Sequence, residues 1–237
     1  MKTSEVIFII VVFLSNLIHS VTGFAGTLLA MPASIRLIGI DDSKAVLNAV
    51  GLLCCVILEV QTYRDVNKKE FIKIALWMFA GMVLGLQLFQ CLSLDFLSYI
   101  YAALIIAVAL KNLLVKKDLK LPEAGMVLLL FTAGIIHGMF ISGGSLLVVY
   151  AARRFPDKKE FRATLTPVWI VLNSFLLVRQ IYNKSFTPHV VFLVLVSAVP
   201  MLLGVLIGNR IYKKINQKIF SILTCVLLLI SGVLMLV

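Results

Sequence analysis

Apolar residues run along this chain in blocks of about 20, long enough to cross the ~30 Å hydrocarbon core of a bilayer. Six plain blocks fall at 45–63, 71–90, 95–114, 161–181, 187–208 and 217–237. Each is expected to be a helix, because lipid offers no partner for unpaired backbone groups. Two longer runs, 6–38 and 121–152, precede the two groups of three, and each is interrupted by a glycine-centred break. The breaks read IHSVTGFAGTLL at 18–29 and IHGMFISGGSLL at 136–147, 118 residues apart. The similarity continues downstream at the same offset, in Ala33/Ala151, Arg36/Arg154, Ala45/Ala163, Leu47/Leu165 and Val50/Val168. The chain therefore reads as a duplicated, all-α polytopic membrane protein in one integral membrane domain. Residues 1–118 form the first repeat and 119–237 the second, each a broken segment followed by three transmembrane helices.

Charge decides how the broken runs thread the membrane. If each crossed it, the 22 basic residues would divide equally between the two sides. If each dips in and returns, one side holds only Lys2, Arg36, Lys44, Arg179 and Lys184. The other 17 then gather in loops 64–73, 111–120, 153–162 and 210–218. Only the second division obeys the positive-inside rule. It makes the repeats inverted, with re-entrant broken segments, and puts both termini outside. The basic loops are expected to fix orientation and to contact anionic membrane lipid.

The composition, 61% hydrophobic with a mean hydropathy of +1.07, is far above that of a soluble domain. The net charge of +11 does not point to nucleic acid here, because the cations sit in short loops between apolar blocks. Cys54, Cys55, Cys91 and Cys225 have no metal-ligand spacing, and no metal or other cofactor is implied. No Walker motif is present, so ATP is not the direct energy source. An N-terminal signal peptide competes as an account of residues 1–30. The recurrence of the same pattern inside the chain favours keeping them in the mature protein.

Paired glycine-interrupted segments in matching halves point to a transporter's substrate site. A helix restarted inside a membrane presents free N–H donors and a positive dipole end, which favour an anion. The candidate substrate-binding residues are Gly23, Gly26 and Thr27 at the first break and Ser142, Gly143, Gly144 and Ser145 at the second. New helices are expected to start at Thr27 and Ser145. Asn48 and Thr166, repeat equivalents on the following helix, stand as residues that close an anion cage or as interhelical glue. The plainer reading of the glycines is close helix packing. His19 and His137 are also equivalent, each about two turns before its break. They are candidates for proton coupling, or for simple hydrogen bonds that tie helices together.

Three stretches carry a family resemblance: GFAGTLLAMP at 23–32, SGGSLLVVYAARRFPDKKEFRAT at 142–164 and LGVLIGNRIYKKINQKIFSILTCVLLLISGVLMLV at 203–237. In order and spacing the chain resembles the TauE/SafE sulfite exporter family over nearly its whole length. The resemblance implies a multi-pass protein of the bacterial inner membrane that moves sulfur-containing anions such as sulfite or organosulfonates. The expected function is thus secondary transport of a small anion by alternating access with proton coupling, and not an enzyme activity. A passive anion channel and an intramembrane serine hydrolase built on His137, Ser142 and Ser145 are the alternatives. Oligomeric state is left open.

Overall fold

The described apolar blocks are helices in a computed structural model that describes residues 2–91 and 122–220, with 222, 223 and 226. The expected span at 95–114, and most of that at 217–237, lie outside the described residues. Among the described residues eight helices have defined bounds: α1 Thr3–Thr22, α2 Ala25–Ile38, α3 Ile40–Thr62, α4 Lys68–Cys91, α5 Glu123–Phe140, α6 Gly144–Arg154, α7 Lys158–Tyr182 and α8 Pro188–Lys214. A 3-10 turn, Tyr63–Asp65, follows α3. Six of the described helices are long and apolar enough to cross a membrane, and α2 is a shorter apolar helix. Their outer faces carry bare apolar side chains, with Leu76 64% and Leu195 67% exposed. Such a surface suits lipid, not water.

Several helices extend beyond their apolar blocks. α3 starts five residues earlier than expected, because Asp41 and Asp42 in its first turn complement the positive end of the helix dipole. α8 runs on to Lys214, with Lys213 and Lys214 in the last turn where cations are favoured. Much of the expected loop 210–218 is therefore helix. Asp157 caps α7 by accepting from Lys159 N at 3.1 Å, and Thr187 caps α8 by accepting from Val190 N at 3.2 Å. The new helices after the breaks begin at Ala25 and Gly144, one or two residues before the expected Thr27 and Ser145.

Side-chain contacts fix the course of each broken run. His189, at the start of α8, lies 3.9 Å from both Glu5 at the start of α1 and Asp42 at the start of α3. So α1 begins, and the α1–α2 pair returns, at one end of the bundle, here the Glu5 end. At the other end, Lys73 of α4 pairs with Glu123 at the start of α5. Glu70 of α4 accepts from Arg154 at 2.6 Å and from Tyr150 at 2.6 Å, which holds the end of α6. So α5 begins and α6 finishes at this Glu70 end. Each broken run is a helical hairpin, and the two hairpins enter from opposite ends. Their arms are unequal: 20 and 14 residues in the first, 18 and 11 in the second. At 1.5 Å per residue the difference is about 9–11 Å.

Each hairpin packs its first arm on a long helix of the other half, α1 on α8 and α5 on α4. Small residues allow this. A Cβ added at Gly81, Gly85, Gly134 or Gly138 would strike the facing backbone across the α4–α5 seam. Gly204 and Gly208 do the same for α8 against Phe13, Leu17 and Ser20 of α1. Close backbone approach of this kind is how helices associate where lipid removes the hydrophobic driving force. α3 and α7 form the centre, packed on each other.

Candidate functional site

At the first break the helix ends on Gly23, whose φ of 82° is left-handed and whose N–H reaches His19 O at 2.6 Å. The break frees backbone groups on both sides, and the structure fills most of them. Thr22 Oγ1 accepts from Ala25 N at 3.2 Å and Phe24 N at 3.4 Å, and donates to Ile18 O at 2.9 Å. Gly23 O accepts from Trp169 Nε1 at 2.7 Å. Ser20 O accepts from the Arg162 guanidinium. Arg162 is only 3% exposed, sits 3.9 Å over the Tyr212 ring, and forms no salt bridge among the described residues. Its Nε has no hydrogen-bond partner among them. Gly23 eases this approach, since a Cβ there would lie 3.0 Å from Arg162 Cγ and its φ of 82° disfavours any side chain.

The second break ends on Ile141, whose φ of 55° is also left-handed and whose N–H reaches His137 O at 2.8 Å. A β-branched residue in this region is strained. Ile141 and Gly138 line a cavity of ≈ 250 Å³ whose polar wall includes Asp41, Lys44, Arg179, Gln180 and Asn183. Lys44 Nζ lies 3.6 Å above the Phe89 ring centroid. Gln180, in the same lining, donates to Lys44 O at 3.2 Å and accepts from Asn48 Nδ2 at 2.9 Å.

The breaks meet. A Cβ on Gly144 would lie 3.0 Å from Phe24 O, across the contact between α6 and α2. A Cβ on Gly26 would lie 2.7 Å from His19 Cβ, and one on Gly143 would strike Ala133 O and His137 Cβ. These glycines let each hairpin close on itself and on the other. Thr27 is half-buried, with its methyl facing Gly51. Ser142 and Ser145 are buried at the second break. Asn48 joins α3 to α7 through Asn173 O at 3.2 Å as well as Gln180, and its Oδ1 has no partner among the described residues. The Thr166 hydroxyl donates to Arg162 O, one turn earlier on its own helix, at 2.8 Å.

The two histidines have matching surroundings. His19 Nε2 lies 3.4 Å from Cys55 Sγ, and His137 Nε2 lies 3.0 Å from Asn173 Oδ1. Cys55 and Asn173 are themselves 118 residues apart. An amide oxygen only accepts, so this contact is made by a hydrogen on His137 Nε2. Nδ1 has no partner among the described residues. Trp169 stands beside His137, with ring centroids 5.3 Å apart.

Sequence reasoning missed Arg162, Lys44 and Trp169. Arg162 follows Lys158 and Lys159 and reads as part of a basic loop, yet it is a buried residue of α7. The repeat offset was the available signal: Lys44 and Arg162 are 118 apart, like Asn48 and Thr166. Among the described residues no group of three or more His, Cys, Asp or Glu is placed to hold a metal ion.

Among the described residues six helices are apolar and long enough to span a membrane, two of them the first arms of broken hairpins that meet inside the bundle, as in a multi-pass helical membrane protein. A family model described as Sulfite exporter TauE/SafE matches residues 8–235, and the chain belongs to that family of membrane transporters. No curated protein and no solved structure matches it.

Proposed function

We propose that the protein is a secondary transporter of a small anion, sulfite or an organosulfonate, that works by alternating access with proton coupling. The observation that carries this reading is the meeting of the two breaks, where Gly144 lies against Phe24 O. Broken helices that converge inside a bundle are the usual setting of a transporter's substrate site. Family membership supplies the anion class.

On this reading the two halves, 1–118 and 119–237, are inverted repeats about a bilayer-plane axis. The reciprocal packing of α1 on α8 and α5 on α4 supports it, as do hairpins that enter from opposite ends. The Glu5 end, poor in cations, faces outward from the inner membrane of a bacterium, and the Glu70 end faces the cytoplasm. The substrate path runs past the backbone of Gly23, Gly26, Thr27, Ser142, Gly143, Gly144 and Ser145, with Asn48 and Thr166 on the facing helices. His19 and His137 exchange the coupled proton, and His137 Nδ1, which has no partner among the described residues, is the atom suited to accept it.

The test is sulfite uptake into proteoliposomes under an imposed pH step, with sulfate, thiosulfate and sulfoacetate in parallel. Accumulation above equilibrium that collapses with a protonophore is expected. Flux that only runs downhill would refute proton coupling and leave a channel or an uncoupled carrier, and no flux of any of the four anions by folded protein would refute the reading. His19→Gln with His137→Gln should abolish accumulation and spare downhill exchange; accumulation by the double variant would exclude the histidines from coupling.

A further inference from the structure

Lys44 and Arg162 occupy the same position in the two halves, 118 residues apart, and each stands beside the break of the other half. Arg162 donates to Ser20 O and packs on Gly23. Lys44 shares a cavity wall with Gly138 and Ile141, the equivalents of Ser20 and Gly23. Neither cation forms a salt bridge among the described residues; each instead lies over an aromatic ring, Phe89 or Tyr212. A guanidinium buried without a carboxylate is costly unless an anion comes to it in some state of the protein. The charge distribution adds weight. Among the described residues only the basic side chains Lys2, Arg36, Lys44, Arg179 and Lys184 belong to the Glu5 end, yet Lys44 and Arg179 line one cavity there. With Asp41 these two cations leave one net positive charge to meet a ligand.

We propose that Lys44 and Arg162 are paired counter-charges for the transported anion, used in alternation, each serving the break of the opposite half. The proposal rests on the anion-transport reading above. In the conformation described here Lys44 faces the cavity, while Arg162 is sealed against Gly23 and Tyr212. The reverse conformation exchanges these environments: a cavity forms at Arg162 on the Glu70 side, and Lys44 is sealed against the second break. An anion bound at one face is therefore handed from one cation to the other as the hairpins move. The ligand chemistry is that of a small oxyanion, which takes hydrogen bonds from an ammonium or a guanidinium equally well.

The experiment measures sulfite exchange in proteoliposomes with sulfite offered to either face, for Lys44→Gln, Lys44→Arg, Arg162→Gln and Arg162→Lys. Lys44→Gln should raise KM about tenfold or more at the Glu5 face and less than roughly threefold at the Glu70 face, the loss expected for one charged hydrogen bond. Arg162→Gln should do the converse. Lys44→Arg and Arg162→Lys should keep KM near the wild-type value. Arg162→Lys also decides the matter if Arg162→Gln fails to fold, since lysine keeps the charge but loses the flat stack on Tyr212. A folded Arg162→Lys without transport would make Arg162 a structural brace and overturn the pair. Wild-type KM in both Gln variants, or equal defects at both faces, would overturn it while leaving anion transport standing. Failure of the wild-type protein to exchange sulfite would remove the transport reading itself, and the pair with it.

Discussion

The two breaks hold equivalent places in their halves but are finished with different residues. The first turns on Gly23, the second on Ile141. Thr22 caps the first; its counterpart is Phe140, which has no hydroxyl. Trp169 seals a carbonyl at the first, while the position equivalent to Trp169 in the other half is Gly51. The first break is thus locked by three side-chain hydrogen-bonding groups, those of Thr22, Arg162 and Trp169. The second carries a strained backbone residue and borders a cavity. On the transporter reading the difference is functional. A carrier that opens to one side at a time needs hairpins that change shape in turn, and strain is tolerated where a segment must change shape.

Trp169 gives the largest expected effect. Trp169→Ala removes a buried indole and leaves Gly23 O without its partner, and should lower stability by about 3–5 kcal/mol. Trp169→Phe keeps the ring against His137 but still strands the carbonyl, at about 1–3 kcal/mol. Thermal unfolding in detergent separates the two. If Trp169→Phe melts with the wild-type protein, the indole hydrogen bond does not hold the first break.

Gly23→Ala comes next. It forces a Cβ into the left-handed region and to within 3.0 Å of Arg162 Cγ. The backbone cost alone is about 1–2 kcal/mol. The added methyl should also displace Arg162 from Ser20 O, so sulfite exchange should fall further than the stability loss accounts for. An unchanged melting temperature would show that the turn relaxes easily. Thr22→Val, which removes the cap and keeps the shape, should cost about 1 kcal/mol. Phe140, the equivalent residue of the second break, offers no such cap to lose.

The sequence reported the architecture well and the site unevenly, for physical reasons. Runs of 20 apolar residues and two glycine breaks dictate spans and interruptions directly, because lipid permits little else. The repeat offset carried over to the environments of His19 and His137, whose partners Cys55 and Asn173 are equivalent residues. Glycine chemistry was ambiguous, since packing and ligand approach both require a missing Cβ. Gly26, Gly143 and Gly144 turn out to be pressed against neighbouring atoms. Arg162 was hidden by its position at the edge of a basic stretch, where a cation is ordinarily solvated. Nothing in the local sequence says that α7 begins at Lys158 and carries Arg162 a full turn inside. Trp169 was hidden for the opposite reason: an aromatic residue within an apolar span looks like packing, and its one polar atom found a carbonyl that only the break exposes.

The smallest effect is also the sharpest test of the comparison, and it concerns Ile141. Replacing this buried residue removes apolar contacts whatever enters, so a single variant does not isolate the backbone. The informative quantity is the difference between Ile141→Ala and Ile141→Gly. In a helix interior, alanine is favoured over glycine by about 1 kcal/mol. At a φ of 55° the order should invert, because alanine retains the clash between Cβ and the carbonyl while glycine escapes it. Ile141→Gly should therefore melt above Ile141→Ala, by about 1 kcal/mol in stability. The kinetic expectation runs the other way. If the strain at Ile141 helps the second hairpin leave this conformation, relieving it with glycine stabilises the state described here and slows sulfite exchange relative to Ile141→Ala. Alanine more stable than glycine would mean that the second break does not hold a left-handed residue, and the contrast with Gly23 would disappear. Glycine more stable but equally fast would leave the strain real and remove its role in movement.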